Sequence, residues 1–201
     1  YATNIPPHNL GEIIDATIKR IEKPNCTLEE LLEIVKGPDF PTGGVVSDKA
    51  GIYECFKTGR GKVIIRAKYS FNSEKGKEQI IISEIPFDVN KALLVKKINE
   101  IRLDKKIDGI IDIRDESDRN DPERIAIDVK KDANKESILG YLFKNTELQI
   151  SYNYNMVAIV NRRPMTLGLI EILDAYIEHQ KEVITRRTKF DLERSEERRV
   201  G

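Results

Sequence analysis

GKVIIRAKYSFNSEKGKEQIIISEI, residues 61–85, sets two β-branched, apolar runs on either side of a polar turn around NSEKGK. Val and Ile on a pleated backbone, closed by a short polar connection, predict a β-hairpin. Downstream, NKALLVKKINEIRLDKKI (90–107) puts Leu94, Ile98 and Ile101 on one side of an amphipathic helix. DGIIDIRDE (108–116) and ERIAIDVKK (123–131) read as two strands around the acidic turn SDRNDP. A helix over NKESILGYLFKN (134–145), a strand over LQISYNYNMVAIV (148–160) and a long helix from about Leu167 complete the series. Upstream, HNLGEIIDATIKRIEK (8–23) carries Leu10, Ile13, Ile14, Ile18 and Ile21 at helical spacing, and Pro24 stops it. A second short helix begins in CTLEELLEIVKG (26–37), with Thr27 and Glu30 spaced as a capping box. GPDFPTGG (37–44) is a rigid loop. The order helix, helix, β-β-α-β-β-α-β, helix, with strand pairs joined by short turns, predicts an α+β fold: a mainly antiparallel sheet with helices on one face.

In the last helix Leu169, Leu173, Tyr176, Val183 and Phe190 follow an approximate 3-4 repeat, interrupted by Gln180 and Arg187. This is the start of a long coiled-coil helix leaving a globular domain. The chain opens on Tyr1 and closes on the charged run DLERSEERRVG, and it is read as a stretch excised from something larger.

Composition narrows the function. The 34 Lys and Arg balance 34 Asp and Glu, so partners must be sought in local charge rather than net charge. Solitary Cys26 and Cys55 and two histidines, His8 and His179, leave no basis for a zinc site or a disulfide framework. No apolar run reaches the roughly 20 residues that span a bilayer, so a cytoplasmic protein without a membrane partner is expected. No Gly-rich phosphate loop occurs, neither histidine lies in a nucleophile-elbow context, and DESDRNDPE lacks the ligand spacing of a calcium loop.

Basic residues do cluster. KTGRGKVIIRAK carries Lys57, Arg60, Lys62, Arg66 and Lys68, and on an extended strand positions 62, 64, 66 and 68 share a face. Gly59 and Gly61 would let the backbone approach a phosphate closely. NRRP adds Arg162 and Arg163 at a strand end, and TRRTK adds Arg186, Arg187 and Lys189. Each cluster can be a solvated surface; together they suit a nucleic-acid backbone. At the N-terminus, YATNIPPHNL places Ile5 before Pro6 and Pro7, which holds it extended and stiff. Ile5 is then either core packing at a turn or an apolar finger for something outside the protein.

ATNIPPHNLGEIIDA, GPDFPTGG, TGRGK, EIPFDVNKALLVKKI, GIIDIRDESDR, QISYNYNMVAIV and HQKEVITRRTKFDL together resemble the A subunit of bacterial type IIA DNA topoisomerases, topoisomerase IV or gyrase. The resemblance runs through essentially the whole chain and is closer to the topoisomerase IV type of Gram-positive bacteria. It implies the end of a winged-helix region with a linking helix at 1–26, a tower domain at 27–166, and the root of the coiled-coil arm at 167–201. It implies that Ile5 inserts between base pairs and bends the duplex, and that Arg60, Lys62, Arg66, Arg162 and Arg163 meet the DNA backbone. The family's catalytic tyrosine lies upstream of ATNIPPHN and Tyr1 is not that residue, so no catalytic residue and no metal ligand is expected in this chain. Mg²⁺ and ATP are expected on the partner B subunit, with double-stranded DNA, that B subunit, and a second A subunit held through the arm as partners. The whole enzyme would be an ATP-dependent, strand-passing isomerase of the bacterial chromosome, and this part alone would be inactive. Without the resemblance, the same sequence reads as a structural module whose terminal helix mediates oligomerisation.

Overall fold

The computed structural model describes residues 2–41 and 43–200; the reading of Tyr1 and the middle of the GPDFPTGG loop at Thr42 lie outside the described residues. These residues fall into two compact units, one made of 2–38, 52–61 and 154–200, the other of 39–51 and 62–153.

The second unit is built on a four-stranded antiparallel sheet. Its strands are β3 (Lys68–Glu74), β4 (Lys77–Glu84), β5 (Ile110–Asp115) and β6 (Ile125–Val129), in the order β3-β4-β6-β5. The register aligns Phe71 with Ile80, Ile80 with Ile127, and Ile127 with Ile113. The period of two therefore sends Ile80, Ile82, Ile125 and Ile127 to one face, where α4 (Lys91–Leu103) and α5 (Lys135–Asn145) bury them with Leu94, Ile98, Ile101 and Leu142. The other face carries buried Ile81 and Ala126 beside a polar cluster: Arg114 Nη1 donates to Asp128 Oδ2 at 2.5 Å, and Gln79 Nε2 donates to Asp128 Oδ1 at 2.7 Å. That guanidinium holds the Asp128 carboxyl below the ordinary carboxylate range. The helices predicted over 90–107 and 134–145 are present and begin on Asn90 and Asn134, whose side chains accept from the Leu93 and Ser137 amides.

The run 61–71 is not one strand. It divides at Ala67 into β2 (Arg60–Arg66), which belongs to the three-stranded sheet β1-β2-β7 with β1 (Val45–Val46) and β7 (Gln149–Asn155), and β3 of the other sheet. Ala67 is buried and donates its N–H to the Leu148 carbonyl, fixing the break. Lys68 therefore does not continue the face of Lys62 and Arg66. The strand foreseen over 148–160 also divides, at Met156, where β7 ends and β8 (Val157–Val160) begins. β8 pairs with β9 (Arg163–Thr166) across Asn161 and Arg162, whose φ values of 50° and 62° give a two-residue turn matched to the strand twist.

The first unit holds α1 (Leu10–Glu22), the short α2 (Leu28–Leu32), α6 (Leu169–Val200) and α3 (Lys49–Thr58) from Ile52 onward. Thr27 and Glu30 form the foreseen capping box. Arg20 on α1 donates Nε and Nη2 to the two carboxylate oxygens of Asp174 on α6, at 2.7 and 2.9 Å, and donates to the Cys26 carbonyl at 3.0 Å. This bidentate geometry raises the Arg20 pKa further above an already high value. α6 runs for 32 residues, and beyond its root its side chains are almost all exposed. Among the described residues no helix is long and apolar enough to cross a membrane.

Ile127 sits on an inner strand with no exposed surface. Ile127→Ala is expected to lower stability by about 2–5 kcal/mol, the range for emptying a well-packed aliphatic site. Urea unfolding followed by far-ultraviolet dichroism measures the change.

Candidate nucleic-acid interface

The N-terminal segment is fastened to the end of β7. Asn4 and Asn155 exchange backbone hydrogen bonds of 2.9 Å in both directions. Thr3 Oγ1 donates to the Asn155 carbonyl at 3.1 Å and accepts from the Val157 amide at 3.4 Å. The Asn155 side chain works on both sides: its Nδ2 donates to the Ala2 carbonyl, and its Oδ1 accepts from Arg60 Nε at 3.3 Å. One asparagine thus ties the strand end, the N-terminal segment and the first basic residue of β2 together.

Beyond Ile5 the chain is fixed again. Pro6 is buried, and its carbonyl accepts from His8 Nδ1 at 2.8 Å. The His8 ring lies 5.7 Å from that of Phe56, and Phe56 meets the edge of Tyr154 at 6.3 Å. Burial pushes the Tyr154 phenol far above its ordinary pKa, so it stays neutral at physiological pH. Ile5 lies between a paired residue and a buried proline, and is itself 42 % exposed. It is not part of the buried core of the described residues.

The arginines and lysines named from the sequence are exposed, and they stand on two different supports. Arg60, Arg162 and Arg163 belong to the first unit, the last two at the turn of the β8–β9 hairpin, where Ile159 is 77 % exposed. Lys62 and Arg66 belong to the second unit and alternate on β2 with buried Val63 and Ile65. Arg66 is held, its Nε donating to Gln149 Oε1 at 2.7 Å and its guanidinium carbon 5.2 Å from the centre of the Phe143 ring. Among the described residues none of these five cations joins an ion pair, whereas Arg20, Lys91, Arg114, Arg124, Lys130 and Lys135 all do. Their charge is uncompensated by an ion pair within the described residues.

The two glycines of TGRGK lie close against other parts of the protein. Gly59 has φ +80°, and a Cβ there would stand 2.4 Å from the Leu167 carbonyl; at Gly61 it would stand 2.8 Å from Cys55 Sγ. They admit the protein's own backbone and thiol. Gly59 also accepts from the Met156 amide at 2.8 Å, and Met156 accepts from Leu167 at 3.0 Å, joining the start of β2, the end of β7 and the approach to α6. Sequence reasoning missed Thr3 and Asn155, whose only signal is a polar residue closing an aromatic strand, SYNYN. Among the described residues no group of three or more His, Cys, Asp or Glu is arranged to hold a metal ion.

An α+β fold with an exposed aliphatic beside unpaired cations defines a class of surface, and comparison with known proteins supplies the family. The family model for the A subunit of DNA gyrase/topoisomerase IV matches residues 1–200, and the chain belongs to that family. It is 56 % identical over 199 residues to the DNA topoisomerase 4 A subunit of Bacillus subtilis (strain 168), covering 98 % of this chain and 25 % of that protein. The corresponding subunits of Staphylococcus epidermidis and Streptococcus pneumoniae serotype 4 are 54 % and 52 % identical, covering 98 % of this chain and 25 % and 24 % of those proteins. The chain therefore spans about a quarter of the length of the curated relatives it matches.

Gly59→Ala forces an L-residue into a left-handed backbone against a carbonyl. It is expected to cost on the order of 1–3 kcal/mol, read as a lowered midpoint in thermal unfolding, with an unchanged midpoint contradicting this role.

Proposed function

We propose that this stretch is the part of a topoisomerase A subunit that grips and bends duplex DNA beside the cleavage site. The observation that carries the reading is Ile5: an exposed aliphatic, locked by Pro6 on one side and by the Asn4–Asn155 pair on the other, with Arg60 bound to the same asparagine. An apolar wedge that enters a base step must be stiff and stand clear of the core, because unstacking costs a few kcal/mol that a flexible side chain would evade. Arg60, Lys62, Arg66, Arg162 and Arg163 are assigned to phosphates, which they meet as exposed point or planar charges without reading sequence.

In this proposal residues 1–26 close the winged-helix region, 27–166 form the tower domain and 167–201 root the coiled-coil arm. Tyr176, Val183 and Phe190, seven residues apart and exposed on α6, support pairing of two A subunits further along that arm. The nucleophilic tyrosine belongs to another part of the subunit, and Mg²⁺ and ATP belong to the partner B subunit. The strand-passing activity is then a property of the assembled enzyme in the bacterial cytoplasm. The competing reading, a purely structural oligomerisation module, gives the five unpaired cations no role.

Salt dependence separates the two. With this stretch in the full-length subunit, replacing Arg60 and Lys62 by Ala is expected to weaken duplex binding about equally for all sequences. The slope of log K against log salt should flatten by roughly 1.8, about 0.9 for each phosphate that is no longer neutralised. An unchanged slope would remove both residues from the DNA backbone.

A further inference from the structure

The side chain of Asn155 makes contacts that the strand pairing does not require. Main-chain hydrogen bonds already join Asn4 to Asn155 in both directions, and another runs from Thr3 Oγ1 to the Asn155 carbonyl. Any residue but proline at this position would keep them. The amide adds what few side chains of its length supply, a donor and an acceptor at two corners of one rigid plane. Its Nδ2 donates to the Ala2 carbonyl at 2.5 Å, and its Oδ1 accepts from Arg60 Nε at 3.3 Å. Turning the amide away from one partner turns it away from the other. At the far end of this relay the Arg60 main chain is held, its N–H donating to Thr58 Oγ1 at 3.2 Å, while both Nη groups make no hydrogen bond among the described residues. All of these residues belong to the first unit.

We propose that Asn155 is a positioning residue that makes entry of Ile5 into a base step and capture of a phosphate by Arg60 one cooperative event. The proposal rests on the DNA reading of both residues. Ile5 follows Ala2 on the same short segment, so a shift of that segment as the wedge enters moves the Ala2 carbonyl, and the amide and the guanidinium move with it. Conversely, a phosphate that draws the Nη edge outward pulls on the same amide. Unstacking a base step is recovered through contacts that bent DNA makes, so a phosphate contact is worth most where its spacing from the wedge is fixed. A long arginine side chain loses rotamer freedom on binding, and one already held at Nε loses less. The Arg60 bond is long and exposed and contributes little to folding, so stability does not account for it.

The test is a double-mutant cycle in the full-length subunit carrying this stretch. Affinity for a doubly end-labelled duplex is read by titration, and bending by energy transfer between its ends. Ile5→Ala, Arg60→Ala and the pair are compared with the unsubstituted protein, and the set is repeated in an Asn155→Ala background. With Asn155 present, the pair is expected to lose less affinity than the product of the single losses, by about threefold or more, as for groups in one hydrogen-bonded network. In the Asn155→Ala background the pair should come within about twofold of that product. Ile5→Ala should still lower bending there, because the main-chain bonds to Asn4 keep the wedge in place. Asn155→Asp, which keeps the size and the acceptor but loses the donor, is expected to abolish the coupling as well. Coupling of equal size in both backgrounds, or coupling kept by Asn155→Asp, would overturn the proposal. So would an Ile5→Ala without effect on bending in the Asn155→Ala background, the mark of a general anchor. Single losses that simply multiply with Asn155 present would overturn the coupling alone. Single substitutions that leave binding and bending unchanged would remove the DNA assignment itself, and the coupling with it.

Discussion

The two-way backbone pair between Asn4 and Asn155 is the constraint on which the candidate site depends. It bridges the N-terminal segment ahead of α1 to the end of β7, and the Asn155 side chain links that bridge to Arg60. Without it the prolines would still stiffen Ile5 but would not aim it. The proposed wedge requires an anchored base as well as a rigid local backbone, and β7 holds the segment there.

The anchor in turn rests on close packing. Gly59 lets the start of β2 pass against the backbone at Leu167, and the Met156 amide closes the same junction, so the strand end that holds Asn4 is itself fixed. Charge follows a similar division. On the sheet face of the second unit Arg114 and Arg124 are neutralised by Asp112, Glu116, Asp121 and Asp128, and they contribute local order. Exposed pairs of this kind add little to stability. The unpaired cations on β2 and at the β8–β9 turn have no such partner among the described residues. A zero net charge therefore conceals basic residues paired within the fold and others that are not paired among the described residues.

The period-two and period-3.6 patterns made the four-stranded sheet, α4, α5 and the α+β class legible, because each element there is long and has one clear face. Breaks inside apolar runs were not legible. Ala67 and Met156 look like ordinary strand residues, and only the pairing of distant segments divides 61–71 and 148–160 between sheets. α3 escaped notice because Gly51 in its first turn and the mixed sequence KAGIYECFKT give no clean stripe; its start is secured by Asp48, which accepts from the Gly51 amide at 2.8 Å. The α1 stripe was legible as a stripe, but no local pattern says what a stripe will face. Ile5 could be singled out from its prolines alone, whereas the role of Asn155 exists only through its pairing with Asn4 at the far end of the chain.

The central claim is that Ile5 acts outward, on DNA, and not inward, on the fold. It is tested most directly by Ile5→Ala in the full-length subunit, with thermal unfolding read beside energy transfer between the ends of a doubly labelled duplex. The expected result is an unfolding midpoint close to that of the unsubstituted protein and a clear loss of DNA bending. A destabilisation of roughly 2–5 kcal/mol, as for a buried Ile→Ala change, with normal bending by the molecules that remain folded, would contradict it.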